Sequence, residues 1–310
     1  MRMIEKYLDL RVLLPALALA VMLVAIFAMQ PRALSYNGLR LLLGFAIPVT
    51  LAAMAQMCVI AASDIDFGLG PFIGLVNCIA ASFLTSQPVL AVILLACCVV
   101  AYAAMGAFIE FRRLPAIVVT LGASFIWLGL AILVLPTPGG TAPEWLTTFV
   151  RIRPPFIPLP IIGAVFIGLV IHWLFEHTSY GVVLRGVGGA PAAVGRAGWS
   201  LLAAKSALYG LAGLLGVASG VYLTGLMTGG DANIGAPYTL LSVAAVIIGG
   251  GEFFGGVVSA IGGVIGAFIM LLTGALLSFM NVSTDWQLSI QGIVLILVLS
   301  TRALQRRRSS

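Results

Sequence analysis

The residues of this sequence that could carry acid–base, nucleophilic or metal chemistry are two histidines, four cysteines and ten acids. His172 and His177 close one apolar run, and without further ligands or a partnering acid they read as interfacial polar groups. Cys58, Cys78, Cys97 and Cys98 all lie inside apolar runs. None makes a Cys-x-x-Cys pair or neighbours a histidine, so they read as small apolar fillers. Asp64, Asp66, Glu110, Glu176, Asp231, Glu252 and Asp285 stand at the ends of apolar runs, and no acid pair sits mid-run. That pattern argues against proton or sodium coupling, which needs ionisable groups at membrane depth. The phosphate-binding pattern Gly-x-x-x-x-Gly-Lys-Ser/Thr is missing, and Gly186-Val187-Gly188-Gly189 is not followed by a lysine. The expectation is a chain that is not an enzyme and binds no metal or cofactor of its own.

A different chemistry is available, the conduction of a polar solute through an apolar body. Such a path needs sparse hydrogen-bonding groups and aromatic faces. Gln56, Asn77, Thr120, Ser124, Phe125 and Trp127 qualify by position, although buried polar groups also stitch helices together. Asp66, Asn233 and Tyr238 join them because they lie near breaks between apolar runs, where transport sites form.

The elements that position these residues are membrane helices. The chain is 61% hydrophobic and 8% charged, against roughly 25% charged residues in soluble domains. Lipid is therefore the main solvent, and only helices satisfy the backbone there without a closed barrel. About ten runs approach the ~20 residues a span requires: 13–30, 39–62, 67–86, 88–109, 115–135, 158–176, 200–227, 237–250, 256–280 and 285–301. The basic start followed by apolar 13–29 has the shape of a secretory signal but lacks a clear cleavage site, so it reads as a retained first span. One membrane domain, 1–310, is expected, with cytoplasmic tails 1–12 and 302–310. Run 237–250 is short enough to be re-entrant.

Orientation follows from the basic residues. With the N-terminus inside, Arg2, Lys6, Arg11, Arg112, Arg113, Arg185, Arg196, Lys205, Arg302 and Arg306–Arg308 are cytoplasmic, and only Arg32, Arg40, Arg151 and Arg153 are outside. The positive-inside rule selects this arrangement and ten crossings. Asp66…Gly70-Pro71 and Asp231…Gly235-Ala236-Pro237 echo each other five runs apart. A five-plus-five inverted repeat is one reading of the echo, coincidence the other. Small residues recur at Gly255, Ser259, Gly263 and Ala267, at Gly262 and Gly266, and at Ala212, Gly216 and Gly220. They read as a subunit or moving interface, or as ordinary close packing.

The largest inner loop, 177–200, contains Pro191-Ala192-Ala193-Val194-Gly195-Arg196-Ala197. Pro191 suits a first helical turn and Gly198 a stop, so a short, exposed helix of small residues is expected, shaped to fit a partner's groove. This loop resembles the coupling region of permease subunits from bacterial ABC sugar importers of the ribose, xylose and arabinose class. Thr178, Gly181, Gly188, Ala192-Ala193 and Gly198 match its pattern. Leu114 through Gly122, Ala244 through Gly250 with Gly255-Gly256, and Val282 through Gln287 with Gln291-Gly292 resemble three further family segments, in order, from about residue 40 to 300.

The resemblance implies a permease in the bacterial inner membrane, paired with an identical or related permease subunit. Cytoplasmic ABC ATPase subunits using ATP and magnesium would dock on the loop, and a periplasmic solute-binding protein would deliver the solute; nucleic acid has no part. Gly181, Arg185, Pro191, Ala192, Ala193, Arg196 and Gly198 are the implied coupling residues. The chain departs from the family where Gly-Gly-Ile-Asp-Leu-Ser becomes Ser63-Asp64-Ile65-Asp66-Phe67-Gly68, where Tyr-Glu-Leu-Asp becomes Tyr238-Thr239-Leu240-Leu241, and at Leu128, usually arginine. Alternative readings are a stand-alone secondary transporter or channel, and a membrane scaffold without transport.

Overall fold

The computed structural model describes residues 2–283 together with 286, 289, 290, 292 and 293. These form thirteen α-helices: α1 (Arg2–Met29), α2 (Tyr36–Leu42), α3 (Ala46–Ala61), α4 (Leu69–Phe83), α5 (Pro88–Arg112), α6 (Ala116–Val134), α7 (Glu144–Val150), α8 (Leu159–Glu176), α9 (Ser179–Gly189), α10 (Pro191–Arg196), α11 (Leu201–Met227), α12 (Ala236–Ile248) and α13 (Ala260–Phe279). A short 3-10 turn, Pro31–Leu34, precedes α2. No strand occurs among the described residues; a single antiparallel bridge joins Gly139 and Gly230.

Each of the first nine expected spans carries a helix, while the tenth, 285–301, and the tail 302–310 lie outside the described residues. Helices α5, α6, α8, α11 and α13 are long and apolar enough to cross a bilayer, and α2 with α3 passes the same test across a 42° bend. The chain is therefore an all-helical, polytopic membrane protein. α4 and α12, of 15 and 13 residues, reach only about 20 Å at 1.5 Å per residue, short of the ~30 Å hydrocarbon core. Two further differences are plain. The residues expected as an N-terminal tail continue the first helix back to Arg2. α7, not anticipated, lays Leu146 and Val150 against α11 at Gly225.

The body is built around α3, all sixteen residues of which are buried. α11, α12, α13, α8 and α9 surround it, which keeps its polar Thr50 and Gln56 away from lipid along with its apolar residues. α6 lies at the edge and presents Val118, Phe125 and Leu133 outward, the surface expected of a helix facing lipid or another subunit.

Four helix N-termini are closed by a side chain of their own. Ser35, Thr178, Ser200 and Ser259 accept bonds from the amides of Gly38, Gly181, Ala203 and Gly262, the N-cap role of short hydroxyl side chains. Ser259 caps α13, and Gly255 and Gly256 have φ of +93° and +66°, so the expected small-residue stripe beginning at Gly255 is broken before the helix starts. Left-handed backbone at two successive residues ends any helical continuation.

The Gly262/Gly266 pair does form a contact face. A side chain at Gly262 would run into the Gly249 carbonyl, and one at Gly266 into the Ala245 carbonyl, so α12 and α13 meet backbone to backbone. Replacing Gly266 with leucine is expected to cost about 1–3 kcal/mol by overpacking, seen as a lower thermal unfolding midpoint in detergent. Gly122→Ala, at a position with nothing within 4 Å, should melt with the parent protein.

Candidate transport site

After α3 the chain turns back into the body before α4 begins. Ser63, with φ of +60°, makes the turn, an αL conformation uncommon outside glycine. The returning segment, 62–68, cannot leave its amides and carbonyls bare in an apolar body. Gln56 on α3, with its amide oriented to donate to the Asp66 carbonyl at 3.2 Å and accept from the Asp66 amide at 3.1 Å, holds the backbone from one side. Thr120 on α6 holds it from the other: its Oγ1 accepts from the Phe67 amide at 3.2 Å and donates to the Ile65 carbonyl at 3.3 Å.

The Asp66 side chain is fully buried. Its Oδ1 accepts from the Gly68 amide at 2.7 Å, and its Oδ2 accepts a short hydrogen bond from the Tyr102 hydroxyl of α5. Phe72, Tyr102 and Trp127 pack around this point, with Phe72–Tyr102 and Phe72–Trp127 ring centroids 4.3 and 5.6 Å apart. The Trp127 Nε1 is buried there without a hydrogen-bond partner among the described residues. Four of the expected path residues, Gln56, Asp66, Thr120 and Trp127, therefore meet at one polar knot, where Gln56 bonds the Asp66 backbone and Thr120 bonds its neighbours Ile65 and Phe67.

A second non-helical segment, 228–235, runs back along α4. The Gly139–Gly230 bridge pins its start with bonds of 3.0 and 2.7 Å. Asn77, fully buried on α4, donates to Thr224 Oγ1 at 2.8 Å and to the Gly229 carbonyl at 3.3 Å, and accepts from the Asp231 amide at 2.8 Å. The segment ends where α12 begins, beside the start of α4. Any side chain at Gly235 would strike the Gly70 carbonyl, and any at Gly70 would strike Thr239, whose hydroxyl accepts from the Gly70 amide at 3.1 Å. The two short helices thus start against each other. Asn233 is exposed and Tyr238 buried. Ser124 and Phe125 face away from the knot; Phe125 is 74% exposed on the outer side of α6.

The segment 177–200 is more helical than expected. Thr178 caps α9, which occupies residues read from sequence as loop. Its glycines are retained because they allow close approach: a side chain at Gly188 would meet Ala61 and Ser63 at the end of α3. The short helix over Pro191–Arg196 is present as α10, and Gly198 takes a φ of +83° behind it. Val194 packs inward against Gly186, while Pro191, Ala192, Ala193 and Arg196 are exposed. Gly181 is buried beneath, and Arg185 pairs with Glu176 at 2.6 Å. Tyr180 and Trp199, both exposed, stack edge to face 5.4 Å apart beside this helix.

Tyr102, Tyr209, Asp64, Glu110 and Lys205 also converge at the inner end of the knot, and none was singled out as a site residue from sequence. The available signal was Lys205 itself, a lone cation next to an apolar run, which needs an acid partner if buried. His172 and His177 have ring centroids 5.5 Å apart, and no cluster of three metal-ligating side chains occurs among the described residues.

The chain's relatives by sequence are membrane permeases. The ribose import permease protein of Bacillus subtilis is 29% identical over 304 residues, covering 96% of this chain and 93% of its own. That of Escherichia coli is 26% identical over 294 residues, 91% of this chain and 90% of its own. The autoinducer 2 import system permease protein LsrD of Escherichia coli is 26% identical over 307 residues, 94% and 92% of the two chains. No solved structure matches the chain. The model of the family described as branched-chain amino acid transport system / permease component matches residues 38–299, and the chain belongs to that family as a transmembrane permease subunit.

Proposed function

We propose that this chain is the membrane-spanning subunit of an ATP-driven ABC importer that moves a sugar or sugar-like solute across the bacterial inner membrane. One observation carries the reading: import permeases for ribose and for autoinducer 2 align with it over at least 90% of both chains. In this reading the chain crosses the membrane ten times with both ends in the cytoplasm and pairs with an identical or related permease. Cytoplasmic ATPases dock on α10, and a periplasmic binding protein delivers the solute.

The α9–α10 pair supports the ATPase contact. A helix of small residues, exposed over Pro191, Ala192 and Ala193 and flanked by the exposed aromatic pair Tyr180 and Trp199, offers shape without bulk. Its neighbour α9 touches the end of α3 at Gly188, so force on the loop has a solid route to the returning segment 62–68. ATP binding and hydrolysis in the partners would bias the permease between inward- and outward-open states. The meeting of α4 and α12 at Gly70 and Gly235 supports an inverted five-plus-five repeat, since the Asp…Gly…Pro echo falls in both places across the junction from a returning segment into a short helix. Asp66, Gln56 and Thr120 act in this reading as the fastening of the path wall. Trp127 and the outward face of α6, with Ser124 and Phe125, are the surfaces open to solute or to the second permease.

Two measurements test these assignments. Ala193→Glu places a charge where the partner's groove must exclude water. It should abolish ATP-dependent uptake of radiolabelled ribose and co-purification of the ATPases while leaving the permease folded. Normal uptake and normal co-purification would contradict docking there. For the knot, Tyr102→Phe removes one of the two hydrogen bonds to the Asp66 carboxyl, a loss of about 1–3 kcal/mol. Because Gln56 holds the same residue, Gln56→Leu combined with Tyr102→Phe should lower the thermal midpoint in detergent by less than the two single losses added together. Full additivity would show two independent sites.

A further inference from the structure

The polar contacts that the transport reading leaves unused gather where segment 62–68 leaves α3. Lys205, on α11, is one of two lysines in the chain and is 8% exposed. Its Nζ lies 2.9 Å from Asp64 Oδ2 and 3.5 Å from Glu110 Oε2 at the end of α5. The Tyr209 hydroxyl, also on α11, donates to the same Asp64 oxygen at 3.0 Å. Asp64 is therefore bound by two groups of one helix, and Lys205 is shared between two acids. An ammonium taken this far out of water needs such partners, since a buried charge left alone is strongly destabilising.

The residue before it is tied in another direction. Ser63 Oγ donates to the Gly188 carbonyl of α9 at 3.1 Å and accepts from the Gly255 amide at 3.0 Å. Two residues after Asp64, Asp66 enters the knot. The segment is a short strap fastened to α9 and the 249–259 turn at Ser63, to α11 at Asp64, to α6 at Ile65 and Phe67, and to α3 and α5 at Asp66. With the Asp64 fastening in place, the strap and α11 form one body, and a shift of α9 reaches Asp66 through it. With that fastening gone, Asp64 and Ile65 are free of α11 and absorb the shift.

We infer that Lys205 and Asp64 are positioning residues for transport: their ion pair, shared with Glu110, locks segment 62–68 to α11 so that movement of the ATPase-facing helix α9 is delivered to the polar knot. This inference rests on the importer reading above, and one experiment separates the two. Hydrogen–deuterium exchange is measured on the full permease–ATPase complex, without nucleotide and trapped with ATP and vanadate. In the parent complex, trapping should change exchange in both α9 and 62–68, by about tenfold or more. The double variant Asp64→Asn/Lys205→Met removes both charges and leaves neither Asp64 nor Lys205 charged and unpaired, so it is the variant expected to fold. It should keep the nucleotide-dependent change in α9 and lose it in 62–68, and Lys205→Arg should retain both. A merely structural pair would raise exchange in 62–68 while leaving its nucleotide dependence intact, and that result overturns the inference. So does a parent complex in which α9 responds and 62–68 does not. A parent complex in which neither responds overturns the importer reading itself, and the latch with it.

Discussion

The architecture depends on one constraint: backbone that re-enters an apolar body must find its hydrogen bonds there, because lipid offers none. Segment 62–68 meets it with the side-chain amide of Gln56, the hydroxyls of Thr120 and Tyr102, and its own Asp66 carboxyl bonded to Gly68. Segment 228–235 meets it with Asn77 and with the paired glycines 139 and 230. These polar residues are few in a chain that is 61% hydrophobic, and most of them are committed to these two segments. Their cost of burial is offset by bonds, and the result is a pair of breaks that stay in place without being helical.

Three of the residues expected on a path, Gln56, Asp66 and Thr120, are fully buried and spend their hydrogen bonds in and on segment 62–68. Trp127 differs, since its indole N–H has no hydrogen-bond partner among the described residues. The α9 contact at Ser63 places segment 62–68 within reach of the α9–α10 surface.

Much of this was legible in the sequence. Apolar runs located the long helices, although α1 starts eleven residues before its expected run and α7 was not anticipated, and Pro191 with Gly198 delimited α10, because proline and glycine act locally. The knot was visible as a set of polar residues in apolar runs, since a polar group at membrane depth always has a reason. The partners were not visible. Tyr102 and Tyr209 lie in apolar runs with no spacing that singles them out, and only the fold brings them to Asp66 and Asp64; the Lys205–Asp64 pair likewise joins residues far apart in the chain. Helix α9 was hidden because Gly181, Gly186, Gly188 and Gly189 disfavour helix by propensity, and only close packing against Phe175, Val194, Ser63 and Gly255 explains them. The stripe from Gly255 failed for the opposite reason: its spacing was helical, but left-handed backbone at Gly255 and Gly256 ends the period.

The central claim is that the α9–α10 surface faces the cytoplasm and takes its work from an ATP-hydrolysing partner. The most direct measurement is the sidedness of Ala192→Cys in a background lacking Cys58, Cys78, Cys97 and Cys98, probed with a membrane-impermeant maleimide. Labelling of inside-out vesicles, blocked by the bound ATPase and absent in intact cells, is the predicted result. Labelling from the outside of intact cells would contradict the account.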